Sequence, residues 1–541
     1  MDDFNLDRPE LQGAYLTLEF GMGGRVQQLW CADAARPSDG EEFQFVAPPI
    51  AFGEEFAEDY FPGTILIGAR TDPDEPWILS RNSEIEVLDD ENGVTFDYRF
   101  GLLDEIRAVG RYYERTGPTS TVVWELTLTN RSRKRVEIGE LAFPFALNNV
   151  YDGFPRSEDG LKNLYQERVL VHKSICGSAS YLFAQRLNAR PPGLLIFPGG
   201  DTQWEFYNHV AASLATPYRW EGIPVVYIHS QATVEREGWS SWFSQHTSAI
   251  LEPGESRVYE TCFAPAHRDE VDEVHAVLIA NSRPAVRLVP SAIAPVGLGI
   301  GVEVTGVTPT QFNLDVEAET ETDADEDGGF CFVHPREPGP IKVSFEDTEG
   351  RTGEAHLLFI EPIEDLIQAR ASWIMDHQRV VDPTSAFFGA ILPSDNRTGE
   401  PITDPTAYHS AFGIESSLCD ALFLAEKNTI FPDQNQIDAL CDYLDFFVSR
   451  RLQNPGDFSV GAILADERSV ASHFGRASLY PILTLLYNSM ARISLGYGGT
   501  RHSVHHYLEA SGQTFLALFA NGNPSLMEGI GLPLMSCMDD V

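Results

Sequence analysis

Side chains that can exchange protons gather in two stretches of the last third of the chain, around residues 380–415 and 453–476. Carboxyl groups held near one another can serve as general acid and general base, and His and Tyr side chains can also transfer protons. The candidate catalytic residues are Asp395, Glu415, Asp466 and Glu467. The candidate substrate-binding residues are Tyr408, His409, His473 and Arg476.

Each candidate carboxylate also has an ordinary structural explanation. Glu415 would lie in the first turn of a helix, where the helix dipole favours an acidic side chain. Asp466 and Glu467 are also typical of a solvated loop surface. The position of the whole set, at the start of two helices, therefore favours a site more strongly than any single residue does.

Helical segments that follow about residue 363 would position these side chains. From Leu479 to Leu495 the chain is apolar almost all the way round a helical wheel, so this helix should be buried on every side. Amphipathic and apolar segments alternate, as expected for two concentric layers of helices. The five predicted segments are Ile363–Arg379, Phe412–Glu426, Gln434–Leu452, Leu479–Leu495 and His502–Ala520.

Long loops, 380–411 and 453–473, precede both of the apolar helices. Loops longer than about 12–15 residues usually carry function or lack order. We expect both loops on one rim of a helical-hairpin toroid, at the N-terminal ends of its inner helices.

The first two thirds of the chain alternate apolar and polar residues, which predicts strands. Clear examples are Ser120–Thr129 and Arg135–Phe143, and no helix is predicted between strands up to about residue 270. We expect a large β-sandwich (a β-supersandwich) over residues 1–280 and a small immunoglobulin-like β module over 285–361. A helical-hairpin domain of the (α/α)6 type should occupy residues 362–541.

Two features of the β region have both a binding and a structural explanation. Trp204, Trp220, Trp239 and Trp242 could stack on sugar rings or fill a core. Three aspartates before Gly328 begin like a calcium loop, but the position that needs a bidentate Glu is His334. An acidic hairpin tip is therefore the preferred explanation, and no metal or other cofactor is expected.

Composition limits the partners and the compartment. The net charge of −42, with only five Lys, argues against nucleic acid, because phosphate binding needs clustered cations. It also resembles the acidic composition of proteins from high-salt organisms. No segment has about 20 unbroken apolar residues and no signal peptide is visible, so we expect a cytoplasmic protein without a membrane partner, with secretion of a processed form left open.

Three segments resemble an uncharacterised bacterial and archaeal family within the six-hairpin glycosidase superfamily. They are Leu424–Asn428 (LAEKN), Arg476–Ser494 (RASLYPILTLLYNSMARIS) and Met527–Cys537 (MEGIGLPLMSC). The order of a large β-sandwich, a small β module and helical hairpins is also similar to that superfamily. The resemblance implies action on carbohydrate through two carboxylates, without an organic cofactor.

The helical region is short for a complete toroid. Twelve helices need roughly 350 residues at ordinary helix and loop lengths, whereas about 180 follow Pro362. From the sequence we therefore expect exposed inner faces, and self-association or pairing with a missing C-terminal half.

Three classes of function remain open. A glycoside hydrolase with a carbohydrate substrate is favoured, and its two carboxyl groups would flank the scissile bond. A polysaccharide lyase would instead use Tyr408, His409, His473 or Arg476 to neutralise a uronate and abstract a proton. A non-catalytic carbohydrate-binding or structural fragment is the third.

Overall fold

A computed structural model describes residues 9–32, 42–47, 60–117, 119–151, 158–210, 222–238, 246–266, 271–404, 413–461 and 478–520. The chain forms two compact units, Met1–Ile360 and Glu361–Val541. The described part of the first unit is mostly β-sheet and that of the second is helical, so the prediction of β structure followed by α structure is confirmed.

The largest sheet of the first unit has eight antiparallel strands. In pairing order they are β12 (Val169–Ser174), β13 (Tyr181–Arg186), β14 (Gly193–Gly199), β18 (Ser256–Ala266), β10 (Thr121–Asn130), β9 (Ile106–Arg115), β8 (Val94–Arg99) and β7 (Glu84–Leu88). Strand β10 lies within one residue of its predicted bounds, because apolar and polar residues alternate from Trp124 to its end.

Two further sheets complete the sandwich. One comprises β15 (Phe206–Val210), β16 (Ile223–His229), β11 (Val136–Pro144), β5 (Leu66–Arg70) and β6 (Ile78–Arg81), with β17 (Ala249–Leu251) also paired to β11. The other comprises β1 (Glu10–Gln12), β2 (Leu16–Phe20), β3 (Val26–Ala32) and β4 (Glu42–Gln44). Aromatic rings join the layers in one core, as between Trp124 and Phe143, whose centroids are 4.6 Å apart.

The expectation that no helix interrupts these strands is wrong. Among the described residues up to about 270, two α-helices occur, α1 (Glu158–Glu167) and α2 (Gln231–Glu237), and a third, α3 (Val271–Ala280), follows them. They are only seven to ten residues long, which leaves few turns for a helical period to show. Helix α3 is held by tertiary packing, since Val274 and Val277 are buried in a core shared with β14 and β18.

The small β module has two four-stranded sheets around its own core. The first is β19 (Ala285–Val289), β21 (Ile300–Thr305), β24 (Gly328–His334) and β23 (Glu319–Ala324). The second is β20 (Ile293–Pro295), β26 (Thr352–Ile360), β25 (Gly339–Asp347) and β22 (Pro309–Leu314). The chain crosses from the second sheet to the first between Leu314 and Glu319.

The described part of the second unit has the five predicted helical segments. They are α4 (Ile363–Trp373), α5 (Gly413–Ile430), α6 (Gln434–Asp442), α7 (Leu479–Gly496) and α8 (Val504–Ala520). Helices α4 and α6 continue as π-helical turns over Ile374–Gln378 and Tyr443–Leu452.

Helix α7 is the buried centre of this unit. Thirteen of its 18 residues are buried, and it packs against both α5 and α8. Helix α5 is less enclosed than predicted, since Cys419 is exposed and Leu422 is only partly buried. A complete toroid therefore stays a prediction. Within the described residues, no helix is long and apolar enough to cross a membrane.

Candidate functional site

The first turns of α5 and α7 lie side by side. Ser478, which immediately precedes α7, has its hydroxyl 3.5 Å from a carboxylate oxygen of Glu415. Towards their other ends, Arg492 lies 3.3 Å from Glu426, so the two helices run in the same direction. The starts of the two helices are therefore neighbours, and a common rim for the two loops stays a prediction.

Asp395 lies in a tight turn that its own carboxylate stabilises. The carboxylate accepts a hydrogen bond of 2.7 Å from the backbone N–H of Arg397. The backbone closes the same turn between Asp395 and Glu400. The side chain is 39% exposed. This geometry gives Asp395 a structural function in the loop, and its part in catalysis stays a prediction.

Glu415 is half-buried in the first turn of α5, and the structure thus brings one of the predicted catalytic residues to the junction with α7. The remaining candidates lie outside the described residues, and their assignment also stays a prediction. They are Tyr408, His409, Asp466, Glu467, His473 and Arg476.

Buried polar side chains fix the described part of the first long loop against the helices. The hydroxyl of Ser417 donates to the carbonyl of Ile391 at 2.5 Å and lies 2.9 Å from the hydroxyl of Tyr443. The next carbonyl, that of Leu392, accepts from the amide of Gln378 at 3.1 Å. Because these groups are buried, breaking one bond would leave an unpaired polar atom, so the loop has a defined path.

The first unit contains a separate polar cleft of about 720 Å³ between the sandwich and the small module. The connection from β14 to β15, the end of β16, and parts of β18, β25 and β26 line it. Its polar side chains include Glu205, His229, Thr247, Arg257, Tyr259 and Lys342. Sequence analysis missed this cleft because its members are spread over more than 130 residues and no local spacing connects them.

Two of the polar side chains in this cleft, His229 and Glu205, are hydrogen-bonded to neighbouring protein groups. Both ring nitrogens of His229 have partners, the hydroxyls of Thr247 at 2.7 Å and Tyr259 at 3.0 Å. The carboxylate of Glu205 accepts from Ser230 at 2.6 Å and from the backbone N–H of Thr247 at 2.9 Å. These groups fix the walls of the cleft.

Burial sets the charge state of these groups. It lowers the pKa of His229 to about 3 and raises the pKa of Tyr259 to about 12, so both are neutral at neutral pH. Burial also raises the pKa of Glu205. A neutral His already bonded to two hydroxyls is suited to holding the walls together, and less suited to accepting a proton from a ligand.

The other binding features of the β region have structural functions where they are described. Trp204 is fully buried, so it belongs to the core and offers no face to a sugar. The aspartates before Gly328 form a hairpin tip in which Asp325 accepts from the backbone N–H groups of Asp327 and Gly328 at 2.9 and 3.1 Å. Among the described residues, no cluster of three or more His, Cys, Asp or Glu side chains could hold a metal ion.

Comparison with solved structures finds the same fold in a polysaccharide lyase. That likeness has a TM-score of 0.70 and 16% sequence identity, and covers 98% of this chain and 74% of the lyase. The GH36 α-galactosidase of Geobacillus stearothermophilus matches 52% of this chain and 44% of its own, at 10% identity and a TM-score of 0.29, too low to carry an argument. At these identities the first likeness shows the fold alone.

The sequence comparisons place the chain in a family without assigned activity. Residues 32–464 match the family of unknown function DUF5695, and the chain belongs to this family. No functionally curated protein matches it. These matches do not support the assignment to the six-hairpin glycosidase superfamily.

Proposed function

We propose that the protein is a carbohydrate-active enzyme, a polysaccharide lyase that cleaves a uronate-containing glycan by β-elimination. The observation that carries the proposal is the fold shared with a polysaccharide lyase over 98% of the chain. A glycoside hydrolase, which the sequence favoured, ranks second because the fold is shared with a lyase. The lyase also needs no second carboxylate, whereas hydrolysis does.

Elimination requires three things of the protein. A base removes the proton on the carbon next to the uronate carboxylate, and an acid protonates the glycosidic oxygen as its bond to the ring breaks, leaving a carbon–carbon double bond. A cation or hydrogen-bond donor neutralises the uronate carboxylate, which makes that proton more acidic. We assign the proton transfers to Tyr408, His409 or His473, and the neutralisation of the uronate to Arg476.

The paired helix ends support this location. Tyr408 and His409 come shortly before α5, and His473 and Arg476 shortly before α7. The first turns of these helices are neighbours through Ser478 and Glu415. The N-terminal ends of α-helices carry partial positive charge, which favours an anionic sugar there.

The test is a panel of uronate-containing and neutral polysaccharides, followed by both ultraviolet absorbance and reducing-end release. A lyase produces one absorbing unsaturated uronide for each new reducing end. Reducing ends without absorbance would show a hydrolase and contradict the proposal. No product from any uronate-containing glycan would also contradict it.

Matched substitutions test the residues. Tyr408→Phe and His409→Gln should each lower turnover on the cleaved glycan by about 100-fold or more, in the range of a lost acid or base. Tyr497→Phe and His505→Gln change the same residue types at exposed positions away from the first turns of α5 and α7, and should leave turnover unchanged. Unchanged turnover in both loop variants would refute the assignment of these two residues.

A further inference from the structure

An aromatic surface covers one face of the small β module. Along β24, Cys331 and Val333 point into the core and are fully buried. The alternating residues Phe330, Phe332 and His334 therefore point away from the core, and all three are partly exposed. We refer to these three side chains as the aromatic platform.

Two of the platform rings, those of Phe330 and Phe332, lie close to the backbone of β21 and of the residue before it. A Cβ atom at Gly301 would be 2.6 Å from the ring of Phe330, and one at Gly299 would be 2.4 Å from the ring of Phe332. Both glycines are buried, so the rings cover them. The planes of the two Phe rings differ by 19° and their centroids are 5.8 Å apart. The two Phe rings are thus nearly parallel to each other, whereas the His334 ring, with its centroid 4.5 Å from that of Phe332, is inclined to the Phe332 ring by 72°.

Carboxylates flank the platform on both sides. The register of β23 places Asp323 opposite Phe330 and Glu321 opposite Phe332. On the other side, β21 places Glu303 opposite Phe330. Directly paired residues of an antiparallel sheet share a face, so these carboxylates lie beside the rings.

The platform leads into a cavity at one end. Glu319, the β23 residue opposite His334, lines a cavity of about 660 Å³ that Pro338 and Arg336 also line. Arg336 pairs with Glu319 at 2.7 Å on its wall. An extended ligand on the platform could continue into this cavity.

We propose that the aromatic platform binds a neutral polysaccharide chain, at a site separate from the proposed active site. The apolar C–H face of a sugar ring packs on an aromatic face, and its hydroxyls donate hydrogen bonds to neighbouring carboxylates. Carboxylates on both sides repel a polyanionic chain, so the ligand differs in charge from the uronate proposed for the helical unit. Binding here requires no elimination and does not rest on the proposed lyase activity.

The experiment is affinity electrophoresis of the full chain in gels that contain β-glucan, galactomannan or xylan, with polygalacturonate as the anionic comparison. The wild-type chain should be retarded by at least one neutral polysaccharide. Phe332→Leu, which keeps apolar cover over the backbone but removes the flat ring, should weaken that binding roughly tenfold, as expected for loss of an aromatic contact. Phe332→Trp, which keeps a flat ring, should retain it.

The control is Leu358→Ala, an exposed apolar residue on the outer face of the opposite sheet. It should bind like the wild type. Thermal melting of each variant establishes that the module is folded. Absence of retardation by every neutral polysaccharide, equal retardation of wild type and Phe332→Leu, or ring-dependent binding of polygalacturonate instead would each overturn the proposal. The binding is measured without turnover, so its failure is distinguishable from failure of the lyase assay.

Discussion

Replacement of Arg283 should destabilise the first unit more than replacement of an exposed arginine. Arg283 lies between α3 and β19 and is only 2% exposed. Its guanidinium donates four hydrogen bonds to three carbonyl oxygens, those of Ser178 at 2.9 and 3.2 Å, Gly200 at 2.5 Å and Thr202 at 3.1 Å. It therefore ties the start of the small module to the loop that lines the polar cleft.

The magnitude follows from those bonds. Arg283→Met removes all four and leaves three carbonyls without this partner, and a hydrogen bond to a charged group is worth about 1.5–3 kcal/mol. The sum is reduced because burial of the charge is itself costly, as the lowering of the pKa of Arg283 to about 10 shows. We expect a net loss of about 3–4 kcal/mol in the free energy of unfolding. Arg283→Lys should recover less than half of it, because an ammonium lacks the planar fork.

Denaturant unfolding followed by tryptophan fluorescence measures this effect. Seven of the eight Trp residues lie in the first 360 residues, so the signal reports mainly on this unit. Arg190→Met removes an exposed arginine in the same unit and should change its stability by less than about 0.5 kcal/mol. An Arg283→Met variant within about 1 kcal/mol of the wild type would refute the bond-based reasoning.

Three further outcomes follow from individual contacts. The pKa of His229 is lowered from 6.5 to about 3, so its contribution to stability is complete above pH 6.5 and is lost as the pH falls towards 3. His229→Gln should therefore flatten the pH dependence of the free energy of unfolding in urea between pH 3 and 6.5. An unchanged slope would contradict this. Asp395→Asn keeps an oxygen that accepts from the N–H of Arg397. Turnover should therefore be unchanged, and the free energy of unfolding should change by less than about 0.5 kcal/mol. A loss of turnover of about 100-fold would instead support Asp395 as a catalytic residue. Gly110→Ala would place a Cβ atom 2.6 Å from the Tyr98 ring. This overpacking should lower the free energy of unfolding by about 1–3 kcal/mol, measured by thermal melting. An unchanged melting midpoint would contradict it.

The sequence by itself determined the elements whose pattern is local. Alternation of apolar and polar residues predicted β10 and β11, and the succession of amphipathic and apolar segments predicted the helices from α4 to α8. Helix α7 is apolar almost all the way round and is the buried centre of its unit. The period of a segment records which of its sides face the core, so these features need no knowledge of distant residues.

The tertiary structure decided the features that depend on pairing between distant segments. Phe330 and Phe332 alternate with buried residues like those of any half-buried strand, and only the pairing of β24 with β21 sets their rings over Gly299 and Gly301. Strand register between separate segments leaves no mark in the spacing of either one.

The candidate catalytic region divides in the same way. The sequence predicted two long loops that carry side chains able to transfer protons. Only the packing of α5 on α7 brings Ser478 to Glu415, which is 63 residues away along the chain. Within the first loop, Asp395 stabilises its turn by accepting a hydrogen bond from the backbone N–H of Arg397. The residue type alone does not specify this partner. A carboxylate's type and position show that it can take part in chemistry, and its partners in the folded chain decide whether it is free to do so.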